Sequence, residues 1–389
     1  MPNWLLPEYV EDILPAEALH IEAIRRRIID VLYVRGYQLV NPPLLEFEES
    51  LLTGSGSDMG LHMFKVVDQL SSRTMGLRAD MTPQVARIDA HLLNCDGVTR
   101  LCYANSVLHT MPSALTCTRE PFQVGAELYG HVGLESDIEI QQLMLQCLSI
   151  AGINKIHLDL GHVAVFRGLI GNDNISADLE SELFNVLQAK DVASLKALCS
   201  ESSTSLSERT RQALILLPEL YGDRTVLTNA RKLLPDYPAI TNALDTLGSI
   251  EKEVSSAVDS IAFDLADLRG YHYHSGMVFA AYAKGSSNAI ALGGRYDDIG
   301  KAFGRARPAT GFSMDLRDLS RLIQPAAYPK GIVAPYDTND ESLQDKIKQL
   351  RAGGQIVIVE LPGCTAEANT FSCDRQLVHE NEGWVVVEI

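Results

Sequence analysis

The spacing of apolar residues changes twice along this chain, and that change constrains the fold more than any other feature. KIHLDLG, residues 155–161, alternates as a β-strand does, whereas residues 166–256 carry only helical spacing. Strand patterns then return in SIAFDLADL, GMVFAAYA and NAIALGG. We therefore predict a sheet whose two sequence segments are separated by an all-helical insertion.

Two further regions complete the predicted architecture. Residues 19–35 place apolar side chains on one stripe of a helix, and Thr82 is expected to cap another helix whose first residue is Pro83. Helices are expected to cover a mostly antiparallel sheet, which makes the fold class α+β. The predicted domains are the core, the helical insertion and a small α/β C-terminal domain, at residues 1–165 with 257–325, 166–256, and 326–389, respectively.

Composition excludes several classes of protein. Apolar residues make up 46% of the 389 residues, too many for a disordered chain, and no apolar run approaches the roughly 20 residues that cross a bilayer. The acidic, proline-broken N-terminus lacks the features of a secretory signal. Seven scattered cysteines without a CxxC pair indicate reduced thiols, so we expect a cytoplasmic protein that does not bind membranes.

The charge of the chain bears on its partners. A formal net charge of −17 opposes the binding of a polyanion such as tRNA. The short basic run from Arg25 to Arg27 is explained more simply as the solvated face of a helix. The sequence contains no P-loop, metal-binding cluster or GxSxG motif, so we predict neither a cofactor nor a metal site.

Polar residues within predicted strands mark a first candidate site. Gln123 and Glu127 stand four apart in FQVGAEL, so both point to the same face if that stretch is a strand. A polar pocket and a solvated sheet face explain this pattern equally well. Asp80, in LRADMT, precedes a predicted helix, where an acidic residue usually interacts with the helix dipole.

The stretch LRGYHYHSGMVF gathers polar rings around Arg269 before an apolar strand. A guanidinium stays charged and binds a carboxylate through two hydrogen bonds, so Arg269 is a candidate for recognising one. The alternative is a salt bridge to Asp264 or Asp267. His272 and His274 have no third metal ligand at the usual spacing, which favours ordinary polar roles for both.

Six blocks, taken together and in this order, resemble the catalytic core of the histidyl-tRNA synthetase family. They are DILP, LRADMT, TREPFQVGAELYG, DLADLRGYHYHSGMVF, ALGGRYDDIG and PATGFSMDLRDL, and they cover about residues 8–325. The resemblance implies a class II aminoacyl-tRNA synthetase-like antiparallel sheet flanked by helices. It also implies a dimer formed through the first motif, at Pro42 and Pro43.

The resemblance further implies a site for free histidine. That family reads the α-amino group through an acid and a threonine, and uses a glutamine and a glutamate of its second motif. An arginine and two tyrosines from a later block complete the family's pocket, and here the second tyrosine is a histidine. The positions of this chain that match are Asp80, Thr82, Gln123, Glu127, Arg269, Tyr273 and His274.

The nucleotide side departs from the family's pattern. The motif 2 arginine that contacts ATP is replaced by Leu108 or His109, and the glutamate beside it by Thr110. The motif 3 arginine is replaced by Asp318, which reverses the charge. Since phosphoryl and adenylyl transfer depend on cations that offset phosphate charge, these changes predict that the catalytic half is missing.

A synthetase-like core of this kind, with a tail shorter than an anticodon-binding domain, is similar to the regulatory subunits of short-form ATP phosphoribosyltransferase. That resemblance implies a non-catalytic protein without a cofactor. Its partners would be the catalytic subunit, free histidine as a feedback effector, and a second copy of itself within a larger hetero-oligomer. Two alternatives remain open, a divergent histidyl-tRNA synthetase and a synthetase paralogue that acts as an amino-acid sensor.

Overall fold

The computed structural model describes residues 4–53, 59–112, 118–173, 175–200, 205–271, 273–325, 330–363, 372–380 and 383–389. The chain divides into two compact units, residues 1–324 and 325–389. His272, one of the two histidines considered above as metal ligands, lies outside the described residues. Among the described helices, none combines the length and the apolarity that crossing a membrane requires.

The strands fall into three sheets. In chain order they are β1 Gln38–Leu39, β2 Leu45–Phe47, β3 Phe64–Val67, β4 Thr74–Leu77, β5 Thr99–Ser106, β6 Phe122–Tyr129, β7 Ile156–His162, β8 Tyr221–Gly222, β9 Ser260–Asp264, β10 Met277–Ala283, β11 Ala291–Arg295, β12 Ala309–Asp315, β13 Gly331–Ala334, β14 Val357–Val359, β15 Cys373–Glu380 and β16 Gly383–Glu388.

The helices flank these sheets. The α-helices are α1 Pro15–Val34, α2 Glu48–Leu52, α3 Met59–His62, α4 Thr82–Arg87, α5 Leu134–Ala151, α6 Val163–Ile170, α7 Ala177–Gln188, α8 Val192–Ser200, α9 Glu208–Leu216, α10 Thr225–Leu233, α11 Pro238–Val254, α12 Leu316–Leu322 and α13 Glu341–Ala352. A π-helix, Ile88–Leu93, continues α4, and 3-10 turns lie at Leu217–Glu219, Ser255–Ala257 and Ile299–Phe303.

The larger unit is built on a nine-stranded sheet in the order β1-β5-β6-β12-β11-β10-β7-β9-β8. Its pairs are antiparallel except β1 with β5 and β7 with β9, which confirms the predicted α+β class and the mostly antiparallel sheet. The short strand β1, which precedes Pro42 and Pro43, forms one edge, as prolines predict.

Strand β6 shows how the sheet separates core from site. Its alternate residues Val124, Ala126 and Leu128 join the apolar core formed with α1 and α5. Gln123 and Glu127 point to the opposite face, because successive side chains of a strand alternate between faces. That second face is covered by α4 and a smaller apolar cluster around Met81. A polar site therefore lies between the sheet and α4.

The helical segment, residues 163–257, differs from its prediction in one respect. Helices α6 to α11 are present, and the two-residue strand β8 lies among them, paired antiparallel with β9. The prediction of an all-helical insertion is therefore wrong at Tyr221 and Gly222, where two residues are too few for a periodic signal. The division of the larger unit into a core and an insertion domain stays a prediction.

Two local predictions are also corrected. Thr82 does not cap α4 from outside: the N-cap is Met81, and the Thr82 hydroxyl turns toward polar groups of the sheet. In the smaller unit, the sequence between QIVIVEL and WVVVEI has no strand pattern and predicts a loop, yet it contains the strand β15. Its polar sequence CDRQLVHE hides the alternation, yet it pairs with β13 in parallel and with β16 antiparallel.

A buried ion pair fastens the π-helix that follows α4. Arg307 Nη1 lies 2.7 Å from Asp89 Oδ1, and the two side chains are only 7% and 1% exposed. A neighbouring pair joins Arg305 to Asp96 at 2.8 Å, but the Asp96 side chain is fully exposed. The two arginines therefore make similar contacts in very different dielectric surroundings.

We expect Arg307→Met to destabilise the larger unit by about 3–5 kcal/mol, since the substitution leaves the Asp89 carboxylate buried without its cation. The matched control is Arg305→Met, whose loss should be small because exposed ion pairs contribute little. Urea denaturation of both variants measures the free energy of unfolding. Equal losses in the two variants would contradict this account of the buried pair.

Candidate functional site

The carboxyl group of Glu127 lies at the centre of the site. Its side chain is 1% exposed on β6, facing α4. Tyr103 donates a hydrogen bond to Oε1 over 2.9 Å, and the Thr82 hydroxyl donates to the same oxygen over 3.2 Å. Tyr296 donates to the other carboxyl oxygen, Oε2. Hydroxyl groups from β5, α4 and the end of β11 thus converge on one buried acid.

Glycines on the neighbouring strand and on β6 itself create the space for these groups. Gly311 on β12 is paired with Glu127, and a Cβ atom at Gly311 would overlap the Glu127 carboxyl group. Gly125 on β6 is paired with Tyr103, and a Cβ there would lie 2.5 Å from the tyrosine hydroxyl. The pocket therefore depends on two residues without side chains.

Burial has the largest effect on the pKa of Glu127. Removal from water raises the pKa of Glu127 to about 8, because the charged form loses hydration; the hydrogen bonds from Tyr296 and Tyr103 act in the opposite direction. A charged Asp80 nearby raises the pKa further. At neutral pH the unliganded site therefore holds a largely protonated carboxyl group.

Asp80 and Gln123 form a second polar pair beside Glu127. Gln123 Nε2 donates to Asp80 Oδ1 over 2.7 Å, while its Oε1 accepts from the backbone N–H of Met81 at 2.9 Å. The backbone N–H of Thr82 donates to Asp80 Oδ1 over 3.2 Å. Asp80, Thr82, Gln123 and Glu127 are therefore brought together, and the solvated-face interpretation is wrong for Glu127.

Arg269 makes the salt bridge that its alternative interpretation predicted. Its Nε lies 2.9 Å from Asp267 Oδ1 and its Nη2 lies 2.5 Å from Asp267 Oδ2, while Nη1 donates to Tyr282 over 3.0 Å. Asp264 pairs with Lys190 instead, at 2.6 Å. A guanidinium has five N–H donors. These contacts engage three of them, and the side chain is still 37% exposed.

Tyr273 and His274 occupy different surroundings. The ring of Tyr273 packs 4.9 Å from that of Tyr296, and its hydroxyl is buried without a hydrogen-bond partner in the described part of the chain. His274 Nδ1 lies 3.3 Å from the carbonyl oxygen of Arg295. Burial lowers the pKa of His274 to about 4, so this imidazole is neutral at physiological pH.

A cavity of about 580 Å³ opens beside this cluster. Of the seven predicted residues, Asp80, Gln123 and Arg269 line it, whereas Thr82, Glu127, Tyr273 and His274 do not. The cavity continues to Asp315 and Asp318, and His109 lines it as well. It therefore joins the predicted amino-acid side to the predicted nucleotide side.

The nucleotide side of the cavity is acidic. Asp315 caps α12 and accepts hydrogen bonds from the backbone N–H groups of Phe122 and Arg317. Burial, together with the nearby Asp318, raises the pKa of Asp315 to about 6, and burial also raises the pKa of Asp318. A polyphosphate placed here would face carboxyl groups where an ATP-binding site needs cations.

Sequence reasoning missed several residues that shape the site. Tyr103 and Tyr296 hold Glu127, and Tyr282 with Asp267 orients Arg269. Tyr296 stands inside the block ALGGRYDDIG, so its position was available in the resemblance. For Tyr103 the sequence offered only the strand alternation of LCYANS, which predicts the face of its side chain but not its partner.

Comparison with known proteins fits both units. The histidyl-tRNA synthetase family model matches residues 9–319, and the model for the C-terminal domain of ATP phosphoribosyltransferase subunit HisZ matches residues 329–387. The ATP phosphoribosyltransferase regulatory subunit of Nitrosospira multiformis is 66% identical over 388 residues, which is 100% of this chain and 99% of that protein. The chain belongs to the family of ATP phosphoribosyltransferase regulatory subunits.

Further relatives agree with that assignment. The regulatory subunit of Nitrosomonas eutropha is 62% identical over 389 residues, 100% of each chain. A Bacillus halodurans structure, described as an ATP phosphoribosyltransferase regulatory subunit/histidyl-tRNA synthetase, aligns with a TM-score of 0.81 at 25% identity, over 94% of this chain and 95% of that one. The histidyl-tRNA synthetase of Nostoc sp. PCC 7120 shares the fold, with a TM-score of 0.78 at 18% identity, over 100% of this chain and 97% of that one.

The raised pKa of Glu127 predicts a pH dependence of stability. A carboxyl group whose pKa rises from about 4.5 to about 8 on folding stabilises the native state below pH 4.5, and that contribution is lost as the pH rises to 8. The free energy of unfolding of the native protein, minus that of Glu127→Gln, should therefore fall between pH 5 and about pH 8.

Urea denaturation across this pH range measures the difference. The control is Glu253→Gln on the exposed face of α11, for which the same difference should stay flat. A difference for Glu127→Gln that does not vary with pH would show that Glu127 is already ionised in the folded protein.

Proposed function

We propose that this chain is a non-catalytic subunit that binds free histidine and conveys feedback inhibition to a short-form ATP phosphoribosyltransferase catalytic subunit. One observation carries the proposal. One cavity is lined both by three of the residues expected to read an amino acid, Asp80, Gln123 and Arg269, and by two aspartates, Asp315 and Asp318, where ATP would need cations. Such a site can hold a metabolite without activating it.

The chemistry of the first end suits histidine. Asp80, which accepts a hydrogen bond from the Thr82 hydroxyl, offers its carboxyl group to the α-ammonium group, and the remaining N–H groups of Arg269 can bind the carboxylate. The buried Tyr273 hydroxyl has no partner in the described residues and therefore has a hydrogen bond to give or accept. Glu127 does not line the cavity, but the Thr82 hydroxyl donates both to Glu127 and to Asp80 and so links the buried acid to the site. The neutral ring of His274 packs against Tyr273 at a ring distance of 5.1 Å.

Feedback requires that histidine distinguish two states of the complex. The difference in its binding free energy between an active and an inhibited arrangement is the coupling free energy, typically ~1–3 kcal/mol. By the same relation, assembly with the catalytic subunit must change the affinity for histidine. The chain needs no ATP-binding arginines for this task.

Self-association is part of the proposal. Strand β1 is an edge of the large sheet, and Leu39, Leu44 and Leu45 near it are exposed by 55%, 42% and 41%. An exposed apolar edge is a ready surface for a second copy. We therefore propose a dimer through the first motif, at Pro42 and Pro43, within a larger hetero-oligomer. The net charge of −17 supports the absence of tRNA from the partners. A cytoplasmic location stays a prediction.

The alternatives make different predictions. A divergent histidyl-tRNA synthetase would exchange pyrophosphate into ATP when histidine is present, and the acidic end of the cavity argues against that reaction. An amino-acid sensor unrelated to this pathway would bind histidine but would not stimulate a phosphoribosyltransferase. The match of residues 329–387 to a domain of an ATP phosphoribosyltransferase subunit favours the regulatory role.

Substitution of Arg269 tests the proposed site. In a complex reconstituted with a short-form catalytic subunit, formation of phosphoribosyl-ATP should require this chain and should be inhibited by histidine. Arg269→Ala should raise the histidine concentration that gives half-inhibition by at least about tenfold, since a charged hydrogen bond is lost, while stimulation persists.

Two further variants make the test specific. Because Arg269→Ala leaves the buried Asp267 without its cation, Asp267→Asn with Arg269→Ala separates loss of binding from loss of folding. The control is Arg231→Ala, which removes an exposed pair with Asp245 and should leave inhibition unchanged. Inhibition that survives in both Arg269 variants would contradict the placement of the histidine carboxylate.

A further inference from the structure

The segment that carries Arg269 and Tyr273 is also held by the helical segment. Residues 264–276, called here the histidine loop and described except at position 272, run from the last residue of β9 to the start of β10. Within this loop Tyr271 is 3% exposed, and its hydroxyl donates to Glu180 Oε1 on α7 over 2.6 Å. The loop thus faces the candidate site on one side and the helical segment on the other.

Aromatic and cationic side chains of the helical segment also pack against the ring of Tyr271. The ring of Phe184, on α7, stacks on it at 5.4 Å, and that of Phe166, on α6, meets it edge-on at 5.3 Å. The Arg167 guanidinium lies 4.7 Å from the ring centre, and its Nη2 donates to the backbone oxygen of Tyr271 over 2.8 Å. Such contacts fix the ring in both position and orientation.

A second contact fastens the start of the loop. Lys190, just after α7, donates to Asp264 Oδ2 over 2.6 Å, while Asp264 Oδ1 accepts from the backbone N–H of Ala266 at 3.0 Å. The helical segment therefore holds the histidine loop at two points. Arg269 lies between these points in sequence.

Two backbone hydrogen bonds tie residues that follow Tyr271 to the residue that precedes it. The backbone N–H groups of Tyr273 and His274 both donate to the carbonyl oxygen of Gly270, at 2.8 and 2.7 Å. Gly270 has a φ of 63°, a conformation that favours glycine. Arg269 and Tyr273 stand two residues to either side of Tyr271. We therefore expect a movement of Tyr271 to move both of them.

We infer that Tyr271 is a positioning residue that couples histidine binding to α6 and α7 of the helical segment. The inference rests on the proposed function and adds the route by which the site communicates. Histidine that draws Arg269 and Tyr273 together stabilises the seated form of Tyr271, and by reciprocity the seated form raises histidine affinity. Helices α6 and α7 then transmit histidine binding to any partner that packs on them.

A double-mutant cycle on the Tyr271–Glu180 hydrogen bond tests this coupling. Calorimetric titration of the full chain with histidine should show binding weakened roughly 3- to 10-fold by Tyr271→Phe and by Glu180→Ala. The double variant should bind no more weakly than the weaker single variant, because both substitutions break the same bond. Glu180→Ala decides the question if Tyr271→Phe does not fold.

The controls separate coupling from general destabilisation. Glu182→Ala changes an exposed residue of α7, and Tyr237→Phe removes a hydroxyl from a tyrosine that packs against Arg209 elsewhere in the helical segment. Both should keep native affinity for histidine. Amide hydrogen exchange supplies a second readout, since histidine should slow exchange in α7 of the native chain and not in Tyr271→Phe.

The outcomes distinguish this inference from the proposed function. If the native chain binds histidine and both Tyr271→Phe and Glu180→Ala bind it with unchanged affinity, the coupling role of Tyr271 is refuted and the histidine site stands. Additive losses in the double variant, or slowed exchange in α7 of Tyr271→Phe, also refute it. If the native chain does not bind histidine, both proposals fall together.

Discussion

The burial of one carboxyl group, that of Glu127, organises the functional half of this molecule. An acid with 1% exposure needs hydrogen-bond donors around it, and Tyr103, Thr82 and Tyr296 supply them from three separate parts of the chain. These hydrogen bonds join α4, β5 and the residue after β11 to one side chain of β6. The backbone of Gly311 on β12 allows the acid to fit at all.

The distribution of charge then decides what the cavity beside Glu127 can do. In the site proposed here, Asp80 and Arg269 offer opposite charges to the amino and carboxyl groups of an amino acid. Asp315 and Asp318 line the same cavity, and Asp318 stands where the resemblance leads us to expect an arginine. Membership of the regulatory-subunit family agrees with this arrangement, because a regulatory site has to bind its effector and does not have to catalyse a reaction of it.

Much of this could be predicted from the sequence where spacing and chemistry agreed. Gln123 and Glu127 are four residues apart on a strand, so their shared face followed from the strand period alone. The order of strand and helix patterns gave the α+β class. Six ordered blocks supplied the resemblance that pointed to Asp80 and Thr82, which the structure places within hydrogen-bond reach of Gln123 and Glu127.

The rest depends on contacts between distant parts of the chain. Tyr103 and Tyr296 are separated by nearly two hundred positions, and no local pattern announces that both reach one acid. The sequence around Thr82 predicts a helix cap, because nothing local indicates that its hydroxyl instead donates to Glu127 on a distant strand.

The direct test of the central claim is calorimetric titration of the unmodified chain with histidine and with magnesium–ATP. We predict saturable binding of histidine and none of the nucleotide; binding of the nucleotide without histidine would contradict the account.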